Sequence, residues 1–482
     1  MKVFFSSLLC AIVLYGCIDM PMDPTGYDLI IKGINVVDIE NDQILSDRTV
    51  FIRDGRIEHV VDFTPELSDT DIKIINGDGL YLLPGFWDNH VHFRGGDELI
   101  EENKRLLPLF IANGVTSVRD GGGDITEAVL KWREMIANGE LTGPKIYTSG
   151  PKLDGPNGTW EGSIGISSPS EVEAAIDSLE ALDADYVKIY DSTLSGEVFL
   201  AIIDETEKRG LPVTGHMPYT VLYGESVDRG LDATEHMYYV LKGASAEEEE
   251  ITEEIIRRQG TSNPLGFWNA LDSILATFDE ERADSVYRHM ADKGTGAVPT
   301  LHIGYTLSWL KDTDHSGDEY LNYIGPGIKQ TYNRRLNAAM RSSDAATQRR
   351  RDLADTFAEM VPKMAEAGVS ILAGSDSGPY NTYVYPGISL HSELEALVVA
   401  GLTPAQALRT SAPNGAAFFG VDNRYGSVEA GYVADLVILN ENPLDDIRNT
   451  RSIYKVIING KNIFTREELD GMLESLKDLY TQ

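Results

Sequence analysis

Short apolar runs split by turn residues occupy two widely separated parts of the chain. In residues 27–80 the runs are separated by Asp-Gly and Asn-Gly-Asp-Gly turns, and residues 426–464 repeat the pattern. Runs of this kind are typical of β-strands. We expect the two pieces to meet in one small β-sandwich domain built from both chain ends. Helical spacing over residues 465–482 predicts a packed C-terminal helix after the second piece.

The chain between residues 81 and 425 alternates short β-type runs with stretches of helical spacing, such as 171–182 and 196–208. The β-type runs are 81–87, 116–119, 145–148, 186–190, 212–214, 233–235, 297–301 and 370–373. Repeated alternation of this kind predicts an α/β fold, a parallel (β/α)8 TIM-type barrel. The long stretches at about 240–295 and after Leu301 are expected to be insertions near the barrel mouth.

The first 26 residues have the pattern of an export signal followed by a tether. Lys2 precedes an apolar run over residues 3–15, shorter than the ~20 residues of a membrane-spanning helix. Residues 14–17, Leu-Tyr-Gly-Cys, resemble a lipobox, in which the cysteine is acylated and begins the mature chain. We therefore expect a signal peptide at 1–16 and a tether at 17–26 lipidated on Cys17. This predicts an exported lipoprotein of the bacterial cell envelope; the alternative is a soluble periplasmic protein.

The amino-acid composition restricts the kinds of molecule that the protein is expected to bind. Hydrophobic residues make up 42% and charged residues 24% of the chain, as in globular proteins with a full core. The 41 Lys and Arg against 76 Asp and Glu give a net charge of −35, which repels the phosphates of nucleic acid. The other cysteine, Cys10, lies in the predicted signal, so the folded part is expected to contain neither a disulfide nor a cysteine-bound metal.

A His-x-His pair stands at the end of the first predicted barrel strand. His90 and His92 are two residues apart, so their side chains face the same side of a strand. Two imidazoles so placed can bind one cation at the ~2.0–2.1 Å that zinc requires. Active sites of such barrels lie at the C-terminal ends of the strands. The position therefore favours a metal site over a chance pattern.

Four more candidate ligands are found at later predicted strands. Lys188 faces away from its two apolar strand neighbours, and desolvation inside a barrel would lower its pKa and free the amine to react with carbon dioxide. His216, His236 and Asp376 follow the fifth, sixth and eighth strands. Taken singly, these residues also fit a salt bridge, ordinary structural histidines and a helix N-cap. Their order after the His-x-His pair makes a metal centre the stronger interpretation.

This ordered set resembles the amidohydrolase superfamily, in particular its binuclear, carboxylated-lysine branch, which includes metal-dependent Xaa-dipeptidases and prolidase-like enzymes. Leu83-Pro84-Gly85, Ala373-Gly374-Ser375-Asp376-Ser377-Gly378 and the return over residues 426–437 also match the style of the family. The family pairs a metal-bearing barrel with a β-sandwich formed from both chain ends. The resemblance therefore implies the architecture that the apolar pattern predicts.

The resemblance also implies a cofactor and a ligand set. His90, His92 and Asp376 would hold one divalent metal ion, and His216 and His236 would hold a second, with zinc as the favoured metal. A carbon dioxide-derived carbamate on Lys188 and a hydroxide would bridge the two ions. The hydroxide would attack a carbonyl carbon, and Asp376 would carry the water proton to the leaving nitrogen.

The implied activity is hydrolysis of an amide or peptide C–N bond in a small molecule, a dipeptide or an N-acyl amino acid. Alternatives within the superfamily are a cyclic-amide hydrolase similar to imidazolonepropionase, a lactonase and a phosphotriesterase. A deaminase is less favoured, because the family's deaminases have a glutamate three residues after the strand-five histidine, where this chain has Tyr219. A surface-tethered binding lipoprotein without catalytic activity is the interpretation from a different class.

Six further residues are candidates for contact with substrate or for support of the ligands. They are Arg119, Tyr190, Tyr219, Tyr238, His302 and His391. The arginine ends the second strand and is expected to brace the mouth by pairing with a carboxylate. The tyrosines lie just beyond proposed ligands, where they could bind a substrate carboxylate or carbonyl. The two histidines follow the seventh and eighth strands and are candidates for the second layer around the metals.

Overall fold

The computed structural model describes residues 26–62 and 72–481. The predicted signal peptide, Cys10 and Cys17 lie outside the described residues. Within the described ranges, no helix has both the length and the hydropathy of a membrane span.

The described secondary structure alternates strands and helices over most of the chain. The strands are β1 (Leu29–Asp38), β2 (Gln43–Arg53), β3 (Arg56–Val61), β4 (Lys73–Asn76), β5 (Tyr81–Pro84), β6 (Phe86–Val91), β7 (Val115–Asp120), β8 (Lys145–Thr148), β9 (Leu153–Asp154), β10 (Ile164–Gly165), β11 (Val187–Ile189), β12 (Val213–Gly215), β13 (Ala233–Glu235), β14 (Gly296–Val298), β15 (Leu436–Leu439), β16 (Ile453–Ile458) and β17 (Asn462–Thr465). The helices are α1 (Ile100–Lys104), α2 (Leu107–Ala112), α3 (Thr126–Ala137), α4 (Val172–Ala181), α5 (Gly196–Arg209), α6 (Tyr223–Asp228), α7 (Tyr238–Gly243), α8 (Glu248–Arg258), α9 (Phe267–Ala276), α10 (Glu280–Lys293), α11 (Leu301–Ser308), α12 (Pro326–Arg341), α13 (Asp344–Glu366), α14 (Ile388–Ala400), α15 (Pro404–Arg409), α16 (Ala412–Phe418) and α17 (Arg466–Thr481).

Both ends of the chain contribute strands to one eight-stranded sheet, with the order β17-β16-β15-β5-β1-β2-β3 and β4 paired to β1. The two ends meet where β15 runs antiparallel to β5, with Val437 opposite Leu83. Alternate apolar side chains of β1, β2 and β15 are buried together in a core of their own. The domain is thus a continuous hydrogen-bonded sheet in which β1 bends at register shifts near Ile34.

The first predicted barrel run, residues 81–87, is divided between the two domains. β5 belongs to the terminal sheet, and β6 begins the barrel after Gly85. A Cβ atom at Gly85 would lie 2.3 Å from Thr116 Oγ1, so the chain can cross between the domains here only with glycine. An apolar run gives no sign of such a division, which corrects the expectation of one strand.

The barrel is assembled from parallel strands. β6, β7 and β8 form one group, and a second group has the order β10-β9-β11-β12-β13-β14. Residues 370–377 close the ring without forming a regular strand. Ala297 N donates to Ser370 O at 2.9 Å on one side, and Asp376 N donates to His90 O at 2.7 Å on the other. The predicted fold class, a (β/α)8 TIM-type barrel with a second sheet domain, is confirmed.

The two long stretches predicted to be insertions are helical. Helices α7 to α10 occupy the segment between β13 and β14, and α11 to α13 follow β14. The terminal helix α17 packs against the barrel through Leu469 and Leu476, the latter in a cluster with Leu106 and Leu109. Both insertions contribute side chains to the cavity at the C-terminal ends of the barrel strands.

Candidate active site

The structure brings the predicted ligands together at the C-terminal ends of the barrel strands. The His90 ring centroid lies 5.0 Å from that of His92 and 5.4 Å from that of His236, and the His216 and His236 centroids are 5.1 Å apart. Ligand atoms of His90, His236 and Asp376 all lie within 4.8 Å of one another. These three side chains therefore define a group able to hold a metal ion.

Two of the predicted ligands have a strained backbone. His236 has a φ of 64° and Asp376 a φ of 56°, in the left-handed region that residues with a Cβ rarely adopt. Each such residue costs about 1–3 kcal/mol and persists only where the surroundings fix it. Here the hydrogen bonds of residues 370–377 to both neighbouring strands fix the position of Asp376. With this left-handed backbone, both side chains line the cavity, and neither residue continues a regular strand or begins a helix.

Asp376 is the common neighbour of the His-x-His pair. Its Oδ1 lies 3.1 Å from His92 Nε2 and 3.4 Å from His90 Nε2, and it accepts a hydrogen bond from Asn381 Nδ2 at 2.7 Å. Burial acts to raise the pKa of Asp376, but the two histidines outweigh it and hold the pKa well below its usual value. The carboxylate is therefore ionised and available as a ligand or proton acceptor.

The imidazole nitrogens that face the site fit a divalent cation. The Nδ1 atoms of His90 and His236 are engaged by Glu235 and by Thr300 Oγ1, which directs both Nε2 atoms toward the site. Within the described ranges, buried His90 Nε2 has no hydrogen-bond partner. Imidazole and carboxylate donors of this kind are ligands for zinc and related divalent metals. The residues present thus fit the metal centre that the family pattern implies.

Glu235 is the central residue that the sequence did not single out. Its fully buried carboxylate pairs with His90 Nδ1, lies 2.9 Å from Arg119 Nη2 and 3.2 Å from Lys188 Nζ, and accepts a hydrogen bond from Thr214 Oγ1 at 2.8 Å. Burial acts to raise its pKa, but the surrounding cations hold the pKa well below its usual value. The available signal was a charged residue within a strand otherwise buried in the barrel.

Lys188 lies in the wall of the cavity as an amine paired with Glu235. Burial lowers the pKa of Lys188 to about 8. A lysine of this kind is uncharged in an appreciable fraction near neutral pH, as a reaction with carbon dioxide requires. Carboxylation of Lys188 itself stays a prediction.

The secondary candidates separate into two groups. Tyr190 and Tyr238 line the cavity, the former with its ring centroid 4.3 Å from that of His216. Arg119 is buried behind the ligands, where it pairs with Glu235 and donates to Asn89 O at 2.6 Å. It braces the interior of the strand ends rather than the mouth.

Three of the secondary candidates lie outside the cavity lining, which corrects their interpretation as substrate contacts. His391 is fully buried, with its ring nitrogens 2.9 Å from Thr450 Oγ1 and 2.9 Å from Asn113 O. His302 lies in the first turn of α11 and donates its backbone N–H to Glu393. Tyr219 packs behind the lining against Phe267. Each residue follows a barrel strand in the sequence, but its side chain does not belong to the lining of the cavity.

A cavity of about 640 Å³ lies in front of the ligands. Three cations that the sequence did not single out form what we call the cationic wall: Arg94, Lys152 and Arg335. Arg94 Cζ lies 4.1 Å from the ring centroid of Trp160, Lys152 Nζ donates to Gly122 O at 2.8 Å, and Arg335 Nη2 donates to Asn381 Oδ1 at 2.7 Å. These partners are neutral.

The cationic wall has no directly ion-paired carboxylate of its own. Burial lowers the pKa of Arg94 to about 10 and that of Lys152 to about 7. No carboxylate of the described residues forms an ion pair with any of the three cations, in a chain whose net charge is −35. Buried positive charge without a partner is costly, so the wall is suited to an anionic group supplied by a ligand.

A barrel with clustered imidazoles and a carboxylate at its strand ends defines the class of metal-dependent barrel hydrolases. The amidohydrolase family model matches residues 81–463, and the chain belongs to this family. Ochratoxinase from Aspergillus niger is 23% identical over 423 residues, covering 76% of this chain and 72% of that protein.

Solved structures share the fold over nearly the whole chain. The bottromycin amidohydrolase superposes with a TM-score of 0.73 at 21% identity, covering 94% of this chain and 90% of its own. A Xaa-Pro dipeptidase with methionine bound in its active site gives a TM-score of 0.66 at 20% identity, covering 91% and 99%. The chain is a hydrolase that acts on C–N bonds, in a family that is typically metal-dependent.

Proposed function

We propose that the protein hydrolyses the amide or peptide bond of a dipeptide or an N-acyl amino acid, a small substrate with a free carboxylate. The observation that carries this proposal is the cationic wall beside the ligand cluster. Arg335 Nη2 donates to Asn381 Oδ1 at 2.7 Å and Asn381 Nδ2 donates to Asp376 Oδ1 at 2.7 Å, so one amide links this arginine to Asp376, and Arg94 lines the same cavity. A carboxylate bound there would hold the scissile bond in front of the ligands. The names of the Xaa-Pro dipeptidase and ochratoxinase relatives support the same chemistry.

The ligand set of the proposal is His90, His92, Lys188, His216, His236 and Asp376. Two divalent ions, with zinc favoured, would polarise the substrate carbonyl and supply an activated water when bound. A carbamate on Lys188 would add an anionic ligand to the imidazoles and the carboxylate of Asp376. The low pKa of Lys188 supports this modification.

The chain's own residues would handle the proton and the substrate. Asp376 is ionised and held by Asn381 Nδ2 at Oδ1, so that it can take a proton from water and deliver it to the leaving nitrogen. An amide nitrogen leaves as an amine only when it is protonated, so this transfer is required for turnover. Arg94 and Arg335 would bind the substrate carboxylate by charge-assisted hydrogen bonds and so orient the reacting carbonyl.

The test combines metal analysis with a substrate panel on the protein without its predicted signal. We expect bound divalent metal and hydrolysis of dipeptides or N-acyl amino acids, with much slower hydrolysis of the same compounds when the carboxylate is capped as an amide. Preferred hydrolysis of cyclic amides, lactones or phosphotriesters would favour the alternative activities. Bound metal without turnover, and no effect of Asp376→Asn on ligand binding, would favour a non-catalytic binding lipoprotein.

We also propose that the protein is exported and anchored through a lipid on Cys17. The motif over residues 14–17 supports this proposal. Metabolic labelling with a fatty acid is expected to mark the wild-type protein, and Cys17→Ser is expected to abolish the label and release the protein from the membrane fraction. A labelled Cys17→Ser protein would contradict the proposal.

A further inference from the structure

The cavity lining has two chemically different parts. Besides the cationic wall, apolar side chains from the two helical insertions form what we call the apolar end: Phe267, Ile303, Leu307, Leu353 and Phe357. Tyr238 connects this end to the ligands, with its ring centroid 6.3 Å from that of His236 and 5.1 Å from that of Phe357. The lining around the ligand cluster therefore contains both a charged part and an apolar part.

This arrangement favours one direction for a bound substrate. If the carboxylate of the leaving amino acid lies at the cationic wall and the reacting carbonyl lies at the ligands, the apolar end is the part of the lining left for the acyl half. Apolar surface in that half would be buried against aromatic and aliphatic side chains. A volume of about 640 Å³ is within the range of small-molecule sites, so it accommodates an acyl group larger than acetyl as well as the amino acid.

The lining offers little to an α-ammonium group. Its carboxylates are Asp191 and Asp376. Asp376 belongs to the ligand set, and Asp191 is engaged by Tyr239, whose hydroxyl donates to it at 3.1 Å, and by His216 Nδ1 at 3.5 Å. A cation, Arg350, also lines the cavity, and its Cζ lies 5.4 Å from the ring centroid of Trp268, the chain neighbour of Phe267. An ammonium next to the scissile carbonyl would lose its hydration, and the residues of the apolar end include no carboxylate to compensate for that loss.

From the juxtaposition of the cationic wall, the ligands and the apolar end, we infer that the acyl half of the substrate is a bulky, uncharged, apolar group. The enzyme is then a hydrolase of N-acyl amino acids with aromatic or branched aliphatic acyl groups, and free dipeptides are its poorer substrates. This inference rests on the proposed function and selects among its substrates.

The test uses three substrates with the same leaving group on the metal-loaded enzyme: N-(3-phenylpropanoyl)-alanine, phenylalanyl-alanine and N-acetyl-alanine. The first two differ by the α-ammonium, and the first and third differ by the apolar group. We expect kcat/KM for the phenylpropanoyl compound to exceed that for the dipeptide by about tenfold or more and that for the acetyl compound by about a hundredfold.

A charge placed at the apolar end is expected to change this preference. Leu307 is half-buried in the lining, and Leu307→Asp would supply a carboxylate there. We expect the ratio of kcat/KM for the dipeptide to that for the phenylpropanoyl compound to rise by about tenfold. Val399 is 78% exposed on α14, and Val399→Asp is the matched control, expected to leave the ratio unchanged.

The outcomes separate the inference from the proposed function. Equal or faster cleavage of phenylalanyl-alanine, or cleavage of the acetyl compound at the rate of the phenylpropanoyl compound, overturns the inference and leaves the proposed function standing. No cleavage of any of the three with metal bound overturns the proposed function and the inference with it. The wild-type comparison decides the matter even where Leu307→Asp fails to fold.

Discussion

Glu235 Oε1 lies 3.2 Å from Lys188 Nζ beneath the ligand cluster, and both side chains are buried. The same carboxylate compensates Arg119 and holds the ring of His90. One anion thus pairs with two cations under the site and orients a proposed metal ligand. Arrangements of this kind, with a carboxylate behind a ligating histidine, set the direction of the ligand's other nitrogen.

Glu235→Gln is therefore expected to weaken metal binding as well as the fold. The amide keeps the shape of the side chain but leaves Arg119 buried without a counter-charge, which costs about 3–5 kcal/mol for a broken buried pair. We expect a lower melting temperature in the metal-free protein and about 10- to 100-fold weaker metal affinity. Calorimetric titration and thermal unfolding measure the two effects.

Glu254→Gln is the matched control, because Glu254 pairs with Arg257 and Arg258 on the outer surface of α8. We expect it to change stability by less than about 1 kcal/mol, as for exposed ion pairs. A Glu235→Gln protein with the wild-type melting temperature and metal affinity would show that the carboxylate has neither role.

Lys188→Ala tests the carbamate. We expect loss of bound metal and a decrease in turnover of at least about a hundredfold, because the variant removes a ligand rather than a residue behind one. Added short carboxylates are expected to restore part of the rate by replacing the carbamate. Lys208→Ala, at an exposed lysine of α5, is the control. Two bound metals and a full rate in Lys188→Ala would exclude the bridging role.

The sequence could bring together much of the proposed ligand cluster because strand ends of a parallel barrel meet in space. Residues placed just after the β-type runs, such as His216 and His236, could be assigned to one site from their order alone. Arg94 could have been found by the same spacing, since it follows His92 by two residues. Glu235 could be found only from the rule that a charge in a buried strand needs a partner, because the neighbouring His236 occupies the strand-end position typical of a ligand.

Other features depended on packing that has no local sequence pattern. Arg335 comes from α12, in an insertion, and reaches the cavity only because the helices after β14 fold over the barrel mouth. The division at Gly85 depends on a close approach to Thr116 in the next barrel strand. His391 lies after a strand region, as ligands do, but α14 directs its ring toward Asn113 and Thr450. Hydrophobic periodicity predicts which face of a helix or strand is buried, but it does not predict which other element packs against that face.

Arg94→Met is expected to impair recognition of the substrate carboxylate. The variant keeps much of the packing against Trp160 and removes the guanidinium. We expect kcat/KM for carboxylate substrates to fall by roughly a hundredfold, mainly through KM, with little change for substrates capped as amides. Arg257→Met, on the exposed surface of α8, is the control. An equal fall for both kinds of substrate would mean that Arg94 acts on the fold or the ligands.

Lys152 is expected to make stability depend on pH in the alkaline range. Burial lowers its pKa from 10.5 to about 7, so the folded protein binds this proton more weakly than the unfolded chain does. The resulting contribution to stability is present above about pH 10 and is lost as pH falls toward about 7. The shift corresponds to about 5 kcal/mol at most.

Lys152→Met removes this contribution, so the free energy of unfolding of the wild type, relative to the variant, is expected to decrease as pH falls from about 10 to about 7 and to level off below. Urea unfolding at several pH values measures the difference, with exposed Lys131→Met as the control. The same loss of charge above about pH 7 is expected to raise KM for carboxylate substrates in the wild type. A difference in unfolding free energy that stays constant across this range would show that Lys152 is charged throughout it.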